Sequence, residues 1–561
     1  MHEDRTGDAL PEVGAAAPSV PATADMAARV AARVKDEEAS RPVAPRDEVP
    51  ALSDDFILKC LKANRVGDAM LFNALNRGKF VYVKRWGRFI RWAGHHWEED
   101  IMETSQAAVE AVCEAYLRAV SSLSKQADDA VGDEKALLER KREELLKRVS
   151  FLRAPSGREQ LLRCTHTIAD PLAITGDELD QQPFLLACRN GVIDLRTGEF
   201  RPGHPDDYVL NACPIEWAGI DAPCPQFERF MYSCHENEAI VSFLQRVFGY
   251  GIMGARDDHY WFVFYGARGR NGKDTLLKIL TAILGDDLAS TIDTALLLDT
   301  KQPRSSAGPS PDVLALRGKR MAFATEAEDG QKFAMSKIKW LTGGSNLMAR
   351  GLQDKLYTTW KQTHLLFLLT NEIPRAKADD DAFWTRTLAV PWKLRFVDHP
   401  TTPDERPRDP QMEHKLMKEL PGILAWLVRG CLEYQRVGLN PPEEVLACTR
   451  ERRRAFDDVG RFLTECCEIE QVVEGIEPAT RTSATVLLNA FNWWLHKNVD
   501  SSYSYSARRL GDILAKKGIP KKKSGGMVYL GVSLLPEVED EMAADTSSSD
   551  ASSAKRRKLF D

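Results

Sequence analysis

The chain is 561 residues long, with 43% hydrophobic and 28% charged residues, which is typical of a soluble globular protein of roughly three or four domains. No apolar run approaches the ~18 residues of a membrane-spanning helix, and the start MHEDRTGDAL lacks the basic and apolar segments of a secretory signal. The formal net charge is −6, so contacts with nucleic acid must come from local basic patches, and eleven cysteines without a C-x-x-C pair indicate a reducing compartment.

The N-terminal region divides into an arm and a folded domain. Residues 1–50 are rich in proline and alanine and nearly free of large apolar side chains, so we expect a disordered arm. We expect a domain of α+β type over residues 51–222. Its predicted helices are Phe56–Leu61, Ala69–Leu75 and 105–151, and its predicted strands are Phe80–Lys84, Trp86–Trp92, Phe184–Cys188 and Val192–Leu195, the last two joined at the turn Asn190-Gly191.

Four candidate zinc ligands lie near the end of this domain. They are Cys213, Cys224, Cys234 and His235. Structural zinc ligands are usually spaced in close pairs, and these are not. Packing in a core is the favoured alternative.

The stretch WFVFYGARGRNGKDT, residues 261–275, is the centre of the next region, residues 223–450, for which we expect a helical collar and an α/β domain. Trp261–Tyr265 is predicted to be a buried strand, followed by a glycine-rich loop and a helix. This layout binds a nucleoside triphosphate such as ATP, since loop N–H groups and the helix N-terminus face the phosphates. The residues expected at the nucleotide are Gly266, Gly269, Asn271, Gly272, Lys273, Asp274 and Thr275.

The match to the phosphate-loop pattern G-x-x-x-x-G-K-[ST] is incomplete. Ala267 stands where the first glycine belongs, and Asp274 follows the lysine in place of Ser or Thr. The alternative is a glycine turn between a core strand and a core helix. Features further along the chain favour the nucleotide site.

Three polar side chains adjoin later predicted strands. Glu326 ends a strand that begins near Arg320, Asn371 ends the strand from Leu365, and Arg386 precedes another. An acid there can hold a metal or activate water, an amide can orient the attacking water, and an arginine can stabilise transition-state charge. Taken singly, they are explained as well by a solvated acid, a turn amide and a surface ion pair. Their order after a phosphate loop favours catalysis.

Five motifs together resemble the superfamily-3 helicase portion of phage and plasmid primase–helicases, which are related to the poxvirus helicase-primase. They are GRNGKDT (269–275), ATEAE (324–328), KWLTGGS (339–345), LLTN (368–371) and WTR (384–386). The hairpin ACRNGVIDLRTGEF (187–200) resembles the domain that precedes the helicase in that family. The resemblance covers residues from about 54 to 400. It implies a P-loop, AAA+-like core, a homo-hexameric ring on DNA, ATP at the subunit interfaces and 3′ to 5′ translocation.

The resemblance also assigns roles to residues. It implies that Lys273 binds phosphate, Glu326 is the strand acid, Asn371 is the sensor and Arg386 is a finger that reaches a neighbouring subunit. It implies a DNA-tracking loop between the strand acid and Asn371, and the basic side chains in that span are Arg350, Lys355 and Lys361. The implied substrates are single-stranded and forked DNA.

Two departures from the usual motifs bear on the metal, Mg²⁺. Asp274 replaces the usual hydroxyl after the lysine, and Thr325 stands just before Glu326, where many relatives place a first acid. In this interpretation the carboxylate, Asp274, and the hydroxyl, Thr325, have exchanged their usual positions. Mg²⁺ accepts oxygen ligands of either type. Glu326 would be left to orient the attacking water. The alternative is that Asp274 only begins the helix, with Thr275 supplying the hydroxyl.

The C-terminal region is predicted to be basic and helical. Met412–Tyr434 has helical spacing, and RERRR, residues 450–454, forms a basic helix or linker. Residues 451–535 are expected to form a winged helix, with helices at Val486–Trp494 and Ser506–Gly518 and a hairpin at Lys521–Ser533. A duplex-DNA surface is predicted from seven residues: Arg508, Arg509, Lys516, Lys517, Lys521, Lys522 and Lys523. The alternative is a domain used for packing or partner contact. Residues 536–561 are expected to form a disordered acidic and basic tail.

The leading interpretation is an ATP-driven hexameric DNA helicase that acts in the replication of a phage, plasmid or other mobile element. It is expected in the cytoplasm of a prokaryotic host, with no membrane partner. Many relatives also carry a primase domain. The short arm leaves no room for one, so priming is not expected and a separate primase or other replication protein is a candidate partner. A second interpretation is an origin-binding initiator. A third is a DNA-binding scaffold whose altered phosphate loop does not hydrolyse ATP.

Overall fold

The computed structural model of the chain describes residues 52–299, 308–327, 330–352, 357–470, 478–499, 504–524 and 526–545. The predicted arm over residues 1–50, Glu328, Lys355 and the last part of the predicted tail, 546–561, lie outside these ranges. Among the described helices, none combines the length and the apolar character that a bilayer crossing requires.

The first unit packs helices against a small sheet. Its helices are α1 Asp54–Lys62, α2 Asn64–Asn76, α3 Thr104–Ala107, α4 Glu110–Asp129, α5 Asp133–Arg153 and α6 Pro155–Thr165. Its strands, in the order β3-β2-β1-β4, are β1 Phe80–Val83, β2 Arg88–Trp92, β3 Trp97–Glu99 and β4 Ala173–Ile174. The strand predicted from Trp86 begins at Arg88, because Gly87 at φ 65° completes the turn after β1.

A three-stranded antiparallel sheet follows and is joined to the rest of the chain by a buried arginine. Its strands are β5 Leu185–Cys188, β6 Gly191–Asp194 and β7 Glu199–Arg201. The first two form the hairpin predicted around Asn190-Gly191. The guanidinium of Arg320 donates to the carbonyl oxygens of Pro183 at 2.8 Å and Leu185 at 3.2 Å. This contact ties the hairpin to the next unit.

Two helices, α7 Pro225–His235 and α8 Glu238–Ile252, lead into the central sheet. Their separation is set by Asn237, whose side chain accepts hydrogen bonds from the first N–H groups of α8. The backbone of α8 closely approaches a later helix, Leu420–Val437: a Cβ on Gly249 would lie 2.1 Å from the backbone nitrogen of Cys431. Glycine is therefore required at this crossing.

The central sheet is parallel and has the order β14-β8-β13-β10-β9. The strands of this region are β8 Trp261–Tyr265, β9 Ala289–Ile292, β10 Met321–Thr325, β11 Asn346–Ala349, β12 Thr358–Lys361, β13 Leu365–Thr370 and β14 Thr387–Pro391. Its helices are α9 Lys273–Leu288, α10 Pro311–Leu314, α11 Met335–Leu341 and α12 Asp381–Trp384. Strands β11 and β12 form a separate antiparallel hairpin. Since the sheet is parallel, the carboxyl ends of its strands meet at one edge, where ligands bind in open α/β sheets.

The part of the chain that follows β14 packs against the central sheet. The elements are β15 Arg395–Val397, β16 Glu405–Pro407, α13 Met412–Met417, α14 Leu420–Val437 and α15 Glu443–Ala455. Helix α15 lies along β14, where the Thr449 hydroxyl accepts a hydrogen bond from the N–H of Ala389 at 2.9 Å. Glu444 in the first turn of α15 pairs with Lys393, which follows the carboxyl end of β14, and Arg453 pairs with Asp381, which precedes the strand.

The last unit has its own core and its own sheet. Its elements are α16 Asp458–Cys466, β17 Cys467–Ile469, β18 Arg481–Ser483, α17 Ala484–Asn498, α18 Ala507–Lys516, β19 Lys521–Lys523, β20 Met527–Leu530 and β21 Val532–Leu534. The strands form a sheet of order β18-β20-β19 and the pair β17-β21. An ion pair of 3.0 Å between Arg375 and Asp458 joins this unit to the segment that follows β13.

The prediction of disorder from residue 536 is wrong for residues 536–545, which form a helix. Met542 packs against the core of the last unit. Glu541 pairs with Lys497, and the indole N–H of Trp493 donates to Asp545 at 3.0 Å. Acidic residues outnumber apolar ones in this stretch, a composition that favours a solvated tail, yet Val538, Met542 and two polar contacts hold it against the last unit.

Candidate functional site

The carboxyl edge of the central sheet brings together residues predicted from separate motifs. Strand β8 continues into the loop 266–272, β13 into Asn371 and β10 into Glu326. The register pairs Thr370 with Tyr265 and Thr325 with Leu369, so the three strand ends are level. The loop, the amide and the acid therefore share one edge.

Two of the loop glycines are required by close contacts. A Cβ on Gly266 would lie 2.6 Å from the carbonyl oxygen of Trp392, and one on Gly272, at φ 90°, would lie 2.7 Å from Cys234 Sγ. Gly269 has open space around it. The two outer glycines thus let the loop pass between α7 and β14.

The loop is closed by one of its own side chains. Asn271 is only 4% exposed, and its amide donates to the carbonyl oxygen of Arg268 at 2.9 Å. Arg270 adopts a positive φ of 61°, and its carbonyl oxygen accepts from the N–H of Phe396 at 2.7 Å. The loop conformation is therefore set before any ligand binds.

Lys273 is the lysine of the loop and is 4% exposed. Its Nζ donates to the carbonyl oxygen of Thr370 at 3.3 Å and to Asn371 Oδ1 at 3.1 Å. Burial lowers the pKa of Lys273 to about 8, and the neighbouring Asp274 opposes this shift. The ammonium is held by two neutral acceptors, so a polyphosphate would supply the charge partner that it lacks.

Helix α9 begins at Lys273, with Asp274 exposed and Thr275 half-buried in its first turn. The first N–H groups of a helix have no intrahelical partner and carry partial positive charge, which favours anions. The helix N-terminus and the loop therefore form a surface for phosphate. Asp274 lies at its rim and offers a carboxylate oxygen there.

Glu326 is exposed and has a positive φ of 59°, which is uncommon for a residue with a side chain. Its N–H donates to the carbonyl oxygen of Leu369 at 3.0 Å. Just before it, the carbonyl oxygen of Thr325 accepts from the Thr294 hydroxyl at 2.6 Å. The backbone is thus fixed on both sides of Glu326 by neighbouring elements. Such fixed, strained positions cluster at functional sites.

Arg386 lies at the opposite edge of the sheet. It directly precedes β14, whose Thr387 is paired with Trp261 at the start of β8. Its guanidinium donates to the carbonyl oxygen of Lys339 at 2.9 Å. A five-residue strand spans roughly 16 Å, so Arg386 does not reach the loop of its own chain.

A cavity of about 420 Å³ adjoins the loop on the β14 side. It is lined by the loop residues Gly266–Arg268, by the end of β14 and by α15, including Trp392, Glu444 and Arg452. Sequence reasoning did not find this cavity. The only signal for it was the RERRR stretch, which was predicted to be a basic helix or linker.

The expected metal ligands lie at the carboxyl edge, but they form no closed site. Asp274, Thr275, Thr325 and Glu326 offer the oxygen atoms that Mg²⁺ prefers. Within the described ranges, no group of three or more His, Cys, Asp or Glu side chains is arranged to hold a metal ion. Cys213, Cys224 and Cys234 are buried in the core, and the Cys213 thiol donates to the carbonyl oxygen of Ile283 at 2.8 Å. The core-packing alternative therefore holds for the cysteines.

The residues predicted to track DNA lie on or beside the β11–β12 hairpin. Lys361 is exposed at the end of β12. The guanidinium of Arg350 lies 5.7 Å from the ring centroid of Tyr357. Lys355 lies outside the described residues. The hairpin is therefore present. Arg350 adjoins the connection between its strands, whereas Lys361 lies at the other end, paired with Asn346.

The seven basic residues of the last unit do not share one environment. Lys517 pairs with Asp457, Lys516 lies 3.9 Å from Asp379, and the Arg509 guanidinium lies 4.0 Å from the Tyr505 ring. Burial also lowers the pKa of Arg509. The other four are exposed: Arg508, Lys521, Lys522 and Lys523. The exposed charge therefore lies on β19 and at both ends of α18, where Lys516 is exposed as well.

Comparisons with known proteins give one family model and several viral relatives. A family model described as "D5 N terminal like" matches residues 69–236. A candidate helicase of Acanthamoeba polyphaga mimivirus is 28% identical over 299 residues, which is 51% of this chain and 30% of that protein. A candidate helicase of Frog virus 3 is 24% identical, covering 52% of this chain and 37% of that protein. A candidate primase of African swine fever virus is 22% identical, covering 57% and 34%.

The chain thus spans about a third of the length of these curated relatives. Among solved structures, the C-terminal region of NrS-1 is similar at 13% identity and a TM-score of 0.36, covering 65% of this chain and 86% of that one. This TM-score is too low to establish a shared fold. The named relatives come from viruses of eukaryotes, and the prokaryotic host stays a prediction. The family match and the viral relatives confirm the predicted resemblance and support the primase–helicase family for this chain.

Proposed function

We propose that the protein is an ATP-dependent DNA helicase of the superfamily-3 type that acts in the replication of a mobile or viral genome. The observation that carries the proposal is the contact between Lys273 and Asn371 at 3.1 Å. It joins the lysine of the loop to the amide of another strand, at the place where an outer phosphate would lie. A glycine turn used only for packing gives no reason to bury a lysine between neutral acceptors.

The arrangement of the sheet supports a P-loop core of the AAA+ type. The strand that bears the loop, β8, lies between the last two strands of the sheet, β13 and β14. The strand acid lies one strand further away, at the end of β10. Acid and amide are therefore both on the β13 side of the loop, where the transferred phosphoryl group would be.

In this proposal Mg²⁺, when bound, neutralises charge on the phosphate oxygens. Asp274 and Thr325 would supply its carboxylate and hydroxyl oxygens, or Thr275 the hydroxyl. Glu326 accepts a proton from the attacking water, and Asn371 orients that water. Lys273 holds the outer phosphate oxygens.

The position of Arg386 supports an assembly in which subunits share sites. It lies at the edge opposite its own loop, so in this proposal it would serve catalysis by reaching the nucleotide of a neighbour. A ring in which every subunit gives one arginine and receives another follows from such a head-to-tail contact. A homo-hexamer is the form that we propose.

Single-stranded and forked DNA are the proposed substrates, with movement 3′ to 5′. Arg350 and Lys361 of the β11–β12 hairpin, and Lys355 from the sequence between these two strands, would contact phosphates in the ring channel. The last unit, with its three-stranded sheet and the helices α17 and α18, would act as a winged helix on duplex DNA. Its exposed strand β19 supports that role, since phosphate contacts need accessible lysines.

A fork-unwinding assay with and without ATP tests the proposal. Lys273→Ala should abolish both ATP turnover and unwinding. Lys278→Ala is the matched control, because Lys278 lies on the same helix in an exposed ion pair with Glu413 at 2.8 Å. Unwinding at the normal rate by Lys273→Ala would contradict the proposal.

A second candidate function is an origin-binding initiator that uses ATP for assembly. The exposed lysines of β19 favour it, because they would bind duplex DNA without any ring. Sequence preference in duplex binding without unwinding would support the initiator. If DNA does not stimulate ATP turnover, the result would instead support the third interpretation, a DNA-binding scaffold that does not hydrolyse ATP.

A further inference from the structure

Helix α18 carries basic side chains on two of its faces. Arg508 and Ala515 are seven residues apart and share one face, which is exposed. Arg509 and Lys516 are also seven residues apart and share a second face. On this second face, Lys516 lies 3.9 Å from Asp379, in the segment that follows β13. The helix therefore presents one face to solvent and the other to the central unit.

Three carboxylates lie beside the second face of α18. Asp379 belongs to the central unit, while Asp457 and Asp458 lie at the start of α16. Lys517, directly after α18, pairs with Asp457. Burial lowers the pKa of the Arg509 guanidinium, and the charges of Asp379 and Asp458 oppose this shift. The basic groups on this side of the helix are thus already neutralised by carboxylates of their own chain.

Two ion pairs between the units differ in burial. The Asp458 side chain is 10% exposed, and Arg375 Nη2 lies 3.0 and 3.3 Å from its two oxygens. Separating a buried pair is costly, because it leaves an uncompensated charge. The side chains of Lys516 and Asp379 are 61% and 35% exposed, and exposed pairs are weak and screened by salt. The first pair therefore anchors the last unit, whereas the second can exchange its partner.

The phosphates of duplex DNA are suited to take the place of Asp379. Carboxylate and phosphate oxygens bind ammonium and guanidinium groups in the same way. The exposed strand β19 begins five residues after Lys516, so a duplex that contacts β19 comes close to the end of α18. Duplex DNA carries a negative charge about every 1.7 Å along its axis. It therefore offers Lys516 several phosphates in exchange for one carboxylate.

We infer that Asp379 occupies the second basic face of α18 in the DNA-free protein, and that duplex DNA displaces it. The inference rests on the proposed function, since it concerns the duplex surface of the last unit. The next residue, Asp380, pairs with Lys339 at 2.8 Å, and the carbonyl oxygen of Lys339 accepts from Arg386. Release of Asp379 therefore acts beside the group that positions Arg386, so the contact restrains this segment until duplex DNA is bound.

The test measures binding of a blunt-ended duplex to the full chain by fluorescence anisotropy, at low salt and without ATP. Asp379→Asn keeps the shape of the side chain and removes its charge. It should tighten duplex binding about fivefold, the upper end of what an exposed ion pair contributes. Asp381→Asn is the matched control, because it removes the same charge two residues away and pairs with Arg453 of α15 instead of α18. Its duplex affinity should match that of the unsubstituted protein.

A double-mutant cycle separates displacement from general charge repulsion. In a Lys516→Ala background, Asp379→Asn should lose most of its effect on duplex affinity. An equal gain in Asp379→Asn and Asp381→Asn would show general repulsion and overturn the inference. So would a full gain from Asp379→Asn without Lys516, or an unchanged duplex affinity in Asp379→Asn.

The outcomes also separate the inference from the proposed function. If neither the unsubstituted protein nor Asp379→Asn binds the duplex while ATP-driven fork unwinding is present, the inference fails and the helicase proposal stands. If the unsubstituted protein unwinds no fork and Asp379→Asn still gains duplex affinity through Lys516, the helicase proposal fails and the inference holds for the initiator.

Discussion

Raising the pH through about 8 is expected to weaken nucleotide binding, because burial lowers the pKa of Lys273 to about 8. Above this pH the nucleotide-free lysine loses its proton. Bound polyphosphate favours the charged form, so the pKa of the bound lysine is higher than that of the free one. Binding therefore takes up a proton above pH 8 and takes up none well below it.

The size of the effect follows from this pKa. Between the pKa of the free lysine and that of the bound lysine, the affinity falls towards tenfold for each pH unit. At pH 9 roughly ten of every eleven free lysines are neutral, so affinity should be about tenfold lower than at pH 7, or about 1.4 kcal/mol. No other residue of the loop needs to titrate to produce this loss.

Titration calorimetry with MgATP from pH 7 to 9.5, in two buffers of different ionisation enthalpy, measures both the affinity and the proton uptake. Lys273→Arg is the control, because a guanidinium keeps its proton over this whole range. The variant should show a flat affinity and no proton uptake. An unchanged affinity of the unsubstituted protein at pH 9, or an equal fall in Lys273→Arg, would refute the reasoning.

Three further predictions concern residues around the sheet and the last unit. Arg386→Ala should lose about 10³-fold in ATP turnover while it keeps nucleotide affinity, and mixing it with Lys273→Ala subunits should restore some activity; no recovery in mixtures that co-assemble would argue against a neighbour's site. Asp274→Ala should raise the Mg²⁺ concentration needed for turnover, and Asp274→Ser with Thr325→Asp should largely restore it; unchanged Mg²⁺ dependence would leave the helix-start explanation. Lys523→Ala should weaken duplex binding at all sequences and reduce its salt dependence by about one charge, as measured by fluorescence anisotropy; an unchanged salt slope would remove β19 from the interface.

The phosphate loop and its partners could be predicted from sequence because each lies at the end of an apolar strand. Lys273 follows Trp261–Tyr265 and Asn371 follows Leu365–Thr370, so both were predicted from short, continuous patterns. Parallel pairing then brings the strand ends together, and the structure joins the two side chains at 3.1 Å. No single motif specifies the order of the strands. Glu326 and Asn371 nevertheless lie at the same edge, because each follows the carboxyl end of a strand in a parallel sheet.

The cavity beside the loop could not be predicted in this way. Tyr265 and Arg452 belong to elements that lie far apart in the sequence, and only the packing of α15 on β14 brings the guanidinium over the ring. For the same reason the seven basic residues were assigned as one surface. Lys517 faces Asp457 across the fold, which no count of charges along α18 reveals.

In the ring that we propose, the segment from Asn371 to Arg386 would connect the site of its own subunit to the site of the next subunit. One end of it contacts the lysine at its own phosphate loop, and the other end lies at the far edge of the sheet. Between these ends, close to Asn371, Arg375 pairs with Asp458 of the last unit. Loss of a phosphate at one site would then shift the timing of hydrolysis at the next without any rearrangement of the sheet core. Tension on DNA bound by the last unit would act on the same segment. The load on the DNA would then set the order in which the subunits hydrolyse ATP.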